Sequence, residues 1–510
     1  MNPSVFSSAT PRIPAAGMRT RNEAGGIAYQ RSDKEALAQL VVTGTFHDTF
    51  YTTGQQGLQK VQELLPRVDP EFVAKLAIYG ASRAFMKDTP VFLTAYLAGR
   101  NPRLFDAAAD VVLSNGKAIR NFVQVIRSGA TGRKSLGTGP KKKVATWIEQ
   151  ASTQQLLNAY IGAKPSLKDV IALSHPRPDG VEREQLFKFL MGKPVDNPEA
   201  LPQEVRDLLR FRATKDGDLP DVPFLLLTSE ALTEAQWKTL ALNCSWNQLR
   251  QNLNSFARHG VFTDPKVTEA LVQKIQDPGK TQYFPYQILT TLNNLAPEVP
   301  AAFTHELQLL LEESSKFIPK INDLAVIVDS SGSMSAPATG YREGGTSKTT
   351  CSMVAGLVAS CLIRRSEQYR IISFDTSAQE VSLNPLDSIF TNAKKLFRNG
   401  GGTNCAAPLI HLLRRGGSLP KNLVMISDNE SWFHPTTNPG RAWSDYRKAQ
   451  PEAKMVCVDV TPTTTTPFPI QNVFRIGGFS DEVFNAIDRF FTGEGEASLL
   501  VQQIEEVQLE

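Results

Sequence analysis

INDLAVIVDSSGSM, running from Ile321 to Met334, is the stretch from which the rest of the chain can be read. Leu324 to Val328 is an uninterrupted apolar run, rich in β-branched side chains and too short to cross a membrane. Such a run reads as a parallel strand buried on both faces. It stops abruptly at Asp329, and Ser330, Ser331, Gly332 and Ser333 follow. Alternate residues leaving a strand end project the same way, so Asp329, Ser331 and Ser333 can bring one carboxylate and two hydroxyls to one point. Hard oxygens grouped like this suit a divalent cation, and Mg²⁺, which keeps several waters and uses few protein oxygens, is the expected ion. The plainer reading is a polar turn that caps the next helix.

Two distant stretches favour the cation. GGGTN at positions 400–404 is a glycine-rich loop opening a helix from Cys405 to Leu413, with the Thr403 hydroxyl at its start. NLVMISD, Asn422 to Asp428, is a second apolar strand ending in a carboxylate. In an open α/β sheet, ligands sit outside the carboxyl ends of the strands, where such loops meet. Asp-x-Ser-x-Ser, a Thr in a Gly-Gly-Thr loop and a strand-terminal Asp, in that order, resemble the metal-ion-dependent adhesion site of a von Willebrand factor A domain. The resemblance covers Asp329, Ser331, Ser333, Thr403 and Asp428. It implies that Ser331, Ser333 and Thr403 touch the ion directly and that Asp329 and Asp428 act mainly through waters. It also implies one coordination position left for a partner's carboxylate. Rival chemistries fit worse. No phosphate-cradling G-x-x-x-x-G-K-[ST] loop follows the strand. A phosphoryl-aspartate phosphatase would carry a second Asp where Ser331 stands, and the G-x-S-x-G of a serine hydrolase is absent.

At 510 residues the chain is too long for one core, so two or more domains are expected. Apolar content of 41% and charged content of 21% are ordinary for a soluble globular protein. No apolar stretch reaches the roughly 18 residues of a membrane span, and the start lacks the apolar core of a secretory signal. The five cysteines, Cys244, Cys351, Cys361, Cys405 and Cys457, are scattered and without C-x-x-C spacing. Reduced thiols in a cytoplasmic protein are the plain reading. The net charge of +4 says little, but its distribution says more. Between Asp110 and Glu149 there is no acidic residue, whereas Lys117, Arg120, Arg127, Arg133, Lys134, Lys141, Lys142 and Lys143 all occur. A one-sign stretch of this length would attract a polyanion, most obviously nucleic acid. The alternative is a solvated loop and helix start.

From Asp33 to about Glu313 the apolar residues recur at helical spacing, in segments that close on Gly, Pro, Asn or Asp. Many amphipathic helices with short breaks and no strict period suggest a divergent HEAT-like or armadillo-like α-solenoid. Its concave surface would suit an extended ligand. After Glu313, strands alternate with helices: YRIISFD, KMVCVDV and NVFRIGG are the further strands, and the APATGYREGG after the cation loop is a flexible excursion. TPTTTTPFP reads as a loop. This alternation predicts a doubly wound parallel sheet. The expected layout is a flexible arm over 1–30, a helical domain over 31–318, an A domain over 319–495 and an acidic tail over 496–510.

GGIAYQ, TGTFHDTFY, SLKDVIALSHPRP around His175, LRQNLNSFARHGVF and TQYFPYQILTTL resemble the TROVE module of the Ro autoantigen family, and SDNESW resembles its bacterial members. GTGPKKK, Gly137 to Lys143, departs from the GWGR-like sequence of relatives, which puts the local RNA contacts there in doubt. The resemblance implies a HEAT-like ring sealed by the A domain. It further implies Y RNA and other small noncoding RNA on the outer surface, and single-stranded 3′ ends of misfolded RNA entering the hole. By that resemblance His175, with Lys168 and Lys164, contacts Y RNA, and the relatives act with an exoribonuclease, polynucleotide phosphorylase, through an RNA tether. Lys164 and Lys168 share a face only if that stretch is helical, and His175 reads equally as a helix C-cap before Pro176. Arg250, Asn254 and Arg258 share a helical face spaced for a phosphate backbone or for solvent. The expectation is a monomeric RNA-binding scaffold in RNA quality control, with no membrane association and no catalytic residues. The alternative is a metal-dependent adhesion module whose partner is a protein; a metal-dependent nuclease would need paired ions or a general base, which the five positions lack.

Overall fold

The computed structural model describes residues 19–44, 46–162, 164–281, 283–341, 347–397, 400–432, 438–461, 463–469, 472–477, 482–493 and 499–509. The expectations placed on 1–18 and on 342–346 of the APATGYREGG excursion fall outside these residues. The chain divides into two compact units. One comprises the described residues of 91–282 and 295–306, the other those up to Pro90, of 283–294 and from Leu307 onward.

The second unit contains two sheets. Its strands in chain order are β1 Arg19–Arg21, β2 Ile27–Gln30, β3 Leu324–Asp329, β4 Tyr369–Phe374, β5 Ala378–Glu380, β6 Asn422–Ser427, β7 Lys454–Asp459, β8 Thr465–Thr466 and β9 Val473–Gly477. The larger sheet has the order β5-β4-β3-β6-β7-β9 and is parallel except for β5, an antiparallel edge strand. Every residue of β3 is buried, as an apolar run covered on both faces requires. On one face Ala325, Ile327, Leu423, Met425, Met455 and Cys457 meet Leu409 and Leu412 of the helix Ala407–Arg415 and Trp443 and Tyr446 of the helix Pro439–Ala449. The Tyr446 hydroxyl donates to the Pro420 carbonyl at 2.8 Å, so the buried phenol is satisfied. The helix Cys351–Arg364, N-capped by Thr350, packs against β3 from the other side of the sheet.

The N-terminal and C-terminal boundaries differ from those read in the sequence. Arg19 to Gln30 is not a flexible arm: β1 and β2 form an antiparallel hairpin, and β2 pairs with β8 inside the TPTTTTPFP stretch read as a loop. Arg31 then inserts its guanidinium against Asp459 at the end of β7, and both side chains are buried. The helix Asp33–Thr43 starts with a capping box between Ser32 and Glu35 and lies across β9. A Cβ on Gly477 would come within 2.2 Å of Thr43 Cγ2 and 2.1 Å of Gln39 Nε2, so only glycine permits this approach. The acidic stretch from 496, which the sequence allows as a short helix or a tail, forms a helix over Leu499–Glu505. It buries Leu500 and Ile504, and Lys34 holds Glu505 at 2.7 Å. Residues 31–90 therefore group with the A domain in one compact unit, where the helix Asp33–Thr43 helps to cover the sheet.

The first unit is helical among its described residues. Its helices include Pro102–Val112, Gly116–Ser128, Thr138–Gln150, Thr153–Tyr160, Leu167–Ser174, Gly180–Leu190, Gln203–Thr214, Glu234–Asn243, Trp246–Arg258 and Pro265–Gln276. Reciprocal capping boxes fix several starts: Ser152 with Gln155, Ser166 with Asp169, Thr233 with Gln236 and Ser245 with Gln248. Each such cap stabilises its helix by about 1 kcal/mol. Gly116–Ser128 and Thr153–Tyr160 approach so closely that a Cβ on Gly116 would lie 2.2 Å from the Ala159 methyl. Among the described residues no helix is long and apolar enough to cross a membrane.

The Arg31–Asp459 pair yields a direct test. Arg31→Met leaves a buried carboxylate uncompensated, and is expected to lower unfolding free energy by about 3–5 kcal/mol in urea titration. Adding Asp459→Leu to that variant is expected to restore part of the loss.

Candidate metal centre and nucleic-acid interface

At the carboxyl edge of the parallel sheet, β3 delivers Asp329 and the residue after β6 is Asp428. Strands β3 and β6 are neighbours in register, so the two carboxylates arrive side by side. The glycine-rich loop reaches the same place: Gly332 N donates to Gly401 O at 3.1 Å and Gly400 N to Ser330 O at 2.9 Å. Gly401 has φ +67°, and a Cβ there would meet Asp375 Oδ2 at 2.9 Å. The structure thus brings Asp329, Ser331, Ser333, Thr403 and Asp428 to one site, all 4% exposed or less.

Their hydrogen bonds organise the oxygens. Asp329 accepts from Ser331 N at 2.8 Å and from the Ser427 hydroxyl. The Ser331 and Ser333 hydroxyls lie 3.1 Å apart, and Ser333 also bonds Asp428. The Thr403 hydroxyl is buried with no partner. Burial pushes the Asp329 carboxyl up to about 7, and the charge of Asp428 adds to that rise. Burial raises Asp428 as well. Among the described residues neither carboxylate has a Lys or Arg ion-pair partner. Two buried carboxylates with no side-chain cation and three grouped hydroxyls, one of them the partnerless Thr403 hydroxyl, fit a small, hard divalent ion.

The residues after Asp428 hold the site from behind. Asn429 donates to Asp459. Glu430 is buried and accepts from Glu23 N at 2.8 Å and Ala24 N at 3.2 Å. Ser431 Oγ accepts from Cys405 N at 3.2 Å, and Ser431 O accepts from the Asn22 side chain at 2.8 Å. Trp432 N donates to Thr403 O at 2.7 Å, and the indole covers Gly402. The sequence reading had singled out SDNESW and TGTFHDTFY without giving them a task. The structure places Trp432, from the first of those two stretches, beside Thr403.

The basic residues divide sharply. Arg127, Lys134, Lys141 and Lys142 line one open cleft of about 750 Å³ in the first unit, together with Ser135 to Thr138, Leu173 and Ser174. It lies at the start of the helix Thr138–Gln150, whose N-cap Gly137 supplies no side-chain bond and whose first turn has no acidic residue. Free amides and a positive helix end add to the attraction for anions. His175 is exposed beside this cleft; as the C-cap of Leu167–Ser174, with φ 51°, it also fills the capping role. Lys168 and Lys117 are exposed. Lys164 is exposed too, but it precedes the N-cap Ser166, so the shared helical face with Lys168 does not exist.

Other candidates are engaged within the fold. Arg133 donates to Ala98 O at 2.9 Å, Ser135 O at 2.9 Å and Leu136 O at 2.5 Å. Arg120 is half-buried against the backbone of Gly162 and donates to Pro165 O at 3.3 Å. Lys143 pairs with Asp110 at 2.5 Å. The face of Arg250, Asn254 and Arg258 is not a phosphate track. Arg250 is buried beside the Trp246 ring, its pKa lowered by burial to about 10, and Asn254 accepts from Ala296 N at 2.8 Å. Only Arg258 of the three is exposed.

The fold and the site define a helical-repeat protein joined to a von Willebrand factor A domain whose loops assemble an adhesion-type oxygen set. Residues 324–491 match the family model described as the Ro60 vWA domain. Over 532 residues the chain is 24% identical to a Deinococcus radiodurans protein named RNA-binding protein RO60, covering 93% of this chain and 96% of that one. The crystal structure of the Deinococcus radiodurans RO (RSR) protein superposes with a TM-score of 0.63 at 18% identity, over 91% of this chain and 100% of that chain. Residues 324–491 are thus similar to the Ro60 vWA domain, and the chain as a whole is similar in sequence and fold to a bacterial Ro protein.

The raised Asp329 pKa fixes a pH dependence. Without an ion, the folded protein holds a proton on Asp329 up to about pH 7, whereas the unfolded chain releases it near 3.8. This contribution to stability is present below pH 3.8 and is lost as pH rises through 7. A divalent ion reverses the preference by favouring the charged form. Added Mg²⁺ is expected to raise the Tm more at pH 8 than at pH 6, measured by calorimetry at fixed ionic strength.

Proposed function

We propose that this protein is a non-catalytic scaffold for noncoding RNA, carrying a divalent cation, Mg²⁺ by preference, in its A domain. The observation that carries the reading is the cleft lined by Arg127, Lys134, Lys141 and Lys142, four cations around an uncapped helix start. Phosphates of an RNA backbone match that arrangement in charge, and the amides at the helix start offer further donors. The name of the Deinococcus relative, an RNA-binding protein, supports the same class of ligand. Within that class the family resemblance favours Y RNA and the single-stranded 3′ ends of misfolded RNA. It also favours a place in RNA quality control or decay, with polynucleotide phosphorylase joined through an RNA tether. A monomer in the cytoplasm completes the reading; the burial of all five free cysteines is compatible with a reducing compartment.

The cation set supports binding rather than cleavage. A nuclease of the two-metal kind needs a second ion and a general base, and the five grouped residues supply two carboxylates for a single ion. Sustained cleavage of labelled single-stranded RNA by Mg²⁺-loaded protein would overturn the scaffold reading.

Gel-shift titration of a structured small RNA tests the interface. Reversing Lys134, Lys141 and Lys142 to Glu together is expected to weaken binding by at least tenfold at low salt. It should also lower the slope of log K against log salt by about 3, roughly one unit per lost phosphate contact. Unchanged affinity and slope would remove the cleft from the interface. Sequencing RNA that co-purifies with the wild-type protein then identifies the ligand.

A further inference from the structure

The first unit holds a second cavity, separate from the cleft of Arg127, Lys134, Lys141 and Lys142. It measures about 390 Å³, within the range of small-ligand sites. It lies where the start of the helix Gly116–Ser128 meets the helices Thr138–Gln150 and Thr153–Tyr160. Its apolar walls are the half-buried Trp147 indole and Leu225, which is 57% exposed. A Cβ on Gly116 would stand 3.3 Å from Trp147 Cη2, so the edge of the indole reaches the helix start. The amides of Asn115, Gln155 and Asn158 and the cations Lys117 and Arg120 also line it, and none of the described residues lining it is acidic. We propose that this cavity takes one unpaired base of a single-stranded RNA, stacked against Trp147, while Lys117 meets a neighbouring phosphate of the strand.

The fold itself sets the amides in place. Asn115 Oδ1 accepts from Ala118 N at 3.0 Å, and Gln155 Oε1 accepts from Ser152 N at 2.8 Å. Each of these caps needs the oxygen, which leaves the NH₂ group of both side chains to donate elsewhere. Asn158 is turned the other way: its Nδ2 donates to Gln154 O at 3.0 Å, which leaves Oδ1 to accept. Donors and an acceptor around an aromatic wall match the edge of a base, which carries both kinds of group. A duplex cannot present that edge here, because its bases are stacked and paired, so the ligand is a single strand. Gln154 Nε2 also donates to Asp221 O at 2.5 Å, which ties the turn before Leu225 to the helix that carries Gln155 and Asn158. Charge points the same way. Lys117 is exposed, and Arg120 keeps its Nε buried without a partner while Nη1 donates to Pro165 O. The helix Gly116–Ser128 joins the two sites, with Lys117 in its first turn at the cavity and Arg127 in its last turn at the cleft. At 1.5 Å per residue the two lie about 15 Å apart along the axis. One strand can cross that span with its backbone in the cleft and a base in the cavity.

The base pocket rests on the reading that this protein binds RNA, and the test separates the two. Full-length wild type and Trp147→Ala are titrated with a fluorescently labelled single-stranded RNA oligonucleotide. Both are also titrated with versions of that strand carrying an abasic nucleotide at each position in turn. Stacking of a base on an aromatic ring is worth roughly 5–150-fold in affinity, so Trp147→Ala should bind more weakly by a factor in that range. The slope of log K against log salt should stay at the wild-type value, because a stacked base releases no counterions. With wild type, one position of the abasic scan should cost the same factor; with Trp147→Ala, that position should cost nothing further. Trp147→Phe, which keeps a ring, should regain most of the affinity. The scan on wild type alters only the RNA, so a folding defect cannot imitate its result. Wild-type binding with no position singled out by the scan would overturn the base pocket and leave RNA binding in place. Free adenosine monophosphate bound as tightly as the oligonucleotide would overturn the strand as the ligand of this cavity. No binding of the oligonucleotide by wild type at low salt would overturn RNA binding and the pocket with it.

Discussion

Buried negative charge at one edge of a parallel sheet is the constraint on which the rest of the second unit depends. Strands β3, β6 and β7 are consecutive, and each leads into an aspartate at its carboxyl end: Asp329, Asp428 and Asp459. All three are 2% exposed or less. Taking a carboxylate out of water costs several kcal/mol even after relaxation, so each needs compensation. Asp459 receives it from Arg31 and Asn429, with Arg475 adding a favourable charge. Asp329 and Asp428 receive only hydroxyls and amides, which satisfy oxygens without balancing charge. The same edge thus holds one buried ion pair and one pair of carboxylates with no side-chain cation among the described residues.

The compensation for Asp459 comes from more than four hundred residues away in sequence, and that distance organises the domain. Arg31 follows directly on β2, and its Nε also donates to Thr465 O at 3.3 Å, beside the β2–β8 pairing. Once the hairpin is seated, the helix Asp33–Thr43 has nowhere to lie except across β9, where Gly477 leaves room for it. The C-terminal helix then packs against the same N-terminal helices, with the Tyr79 hydroxyl donating to Gln503 at 3.2 Å. An A domain cut at residue 319 would therefore lack both the counter-charge for Asp459 and the cover for one face of its sheet.

What could be read from the sequence was local. β3, β6 and β7 announced themselves as short β-branched apolar runs ending in Asp; spacing grouped Asp329, Ser331 and Ser333, and the resemblance to an A-domain adhesion site added Thr403 and Asp428. The helices of the first unit were legible from periodicity and from capping boxes such as Ser245 with Gln248. The Arg19–Gln30 hairpin was not, because its Gly-rich composition looks like a linker and its partner strand is only Thr465–Thr466 within a threonine run. Charge runs misled in a specific way. Of the basic residues in the 117–143 stretch, Arg127, Lys134, Lys141 and Lys142 share one cleft, whereas Arg120, Arg133 and Lys143 are turned to carbonyls or a carboxylate of the fold.

That turning sorts the cations by chemistry. Arginine's planar fork of donors matches carbonyl oxygens presented by helix ends and loops, and the first unit uses it there. Arg133 gathers Ala98, Ser135 and Leu136, and Arg183 gathers Ile148 and Ala151 with bonds of 2.6 Å. Apart from Arg127, the side chains left facing the cleft with positive charge are lysines, compact point charges on flexible stems. Lysines do not enforce the bidentate geometry by which arginine reads a guanine edge or clamps a single phosphate. A nucleic acid held by this cleft would be recognised through its backbone charge and its shape. Tolerance of sequence then follows from which of the two basic residue types the fold had already committed to its own carbonyls.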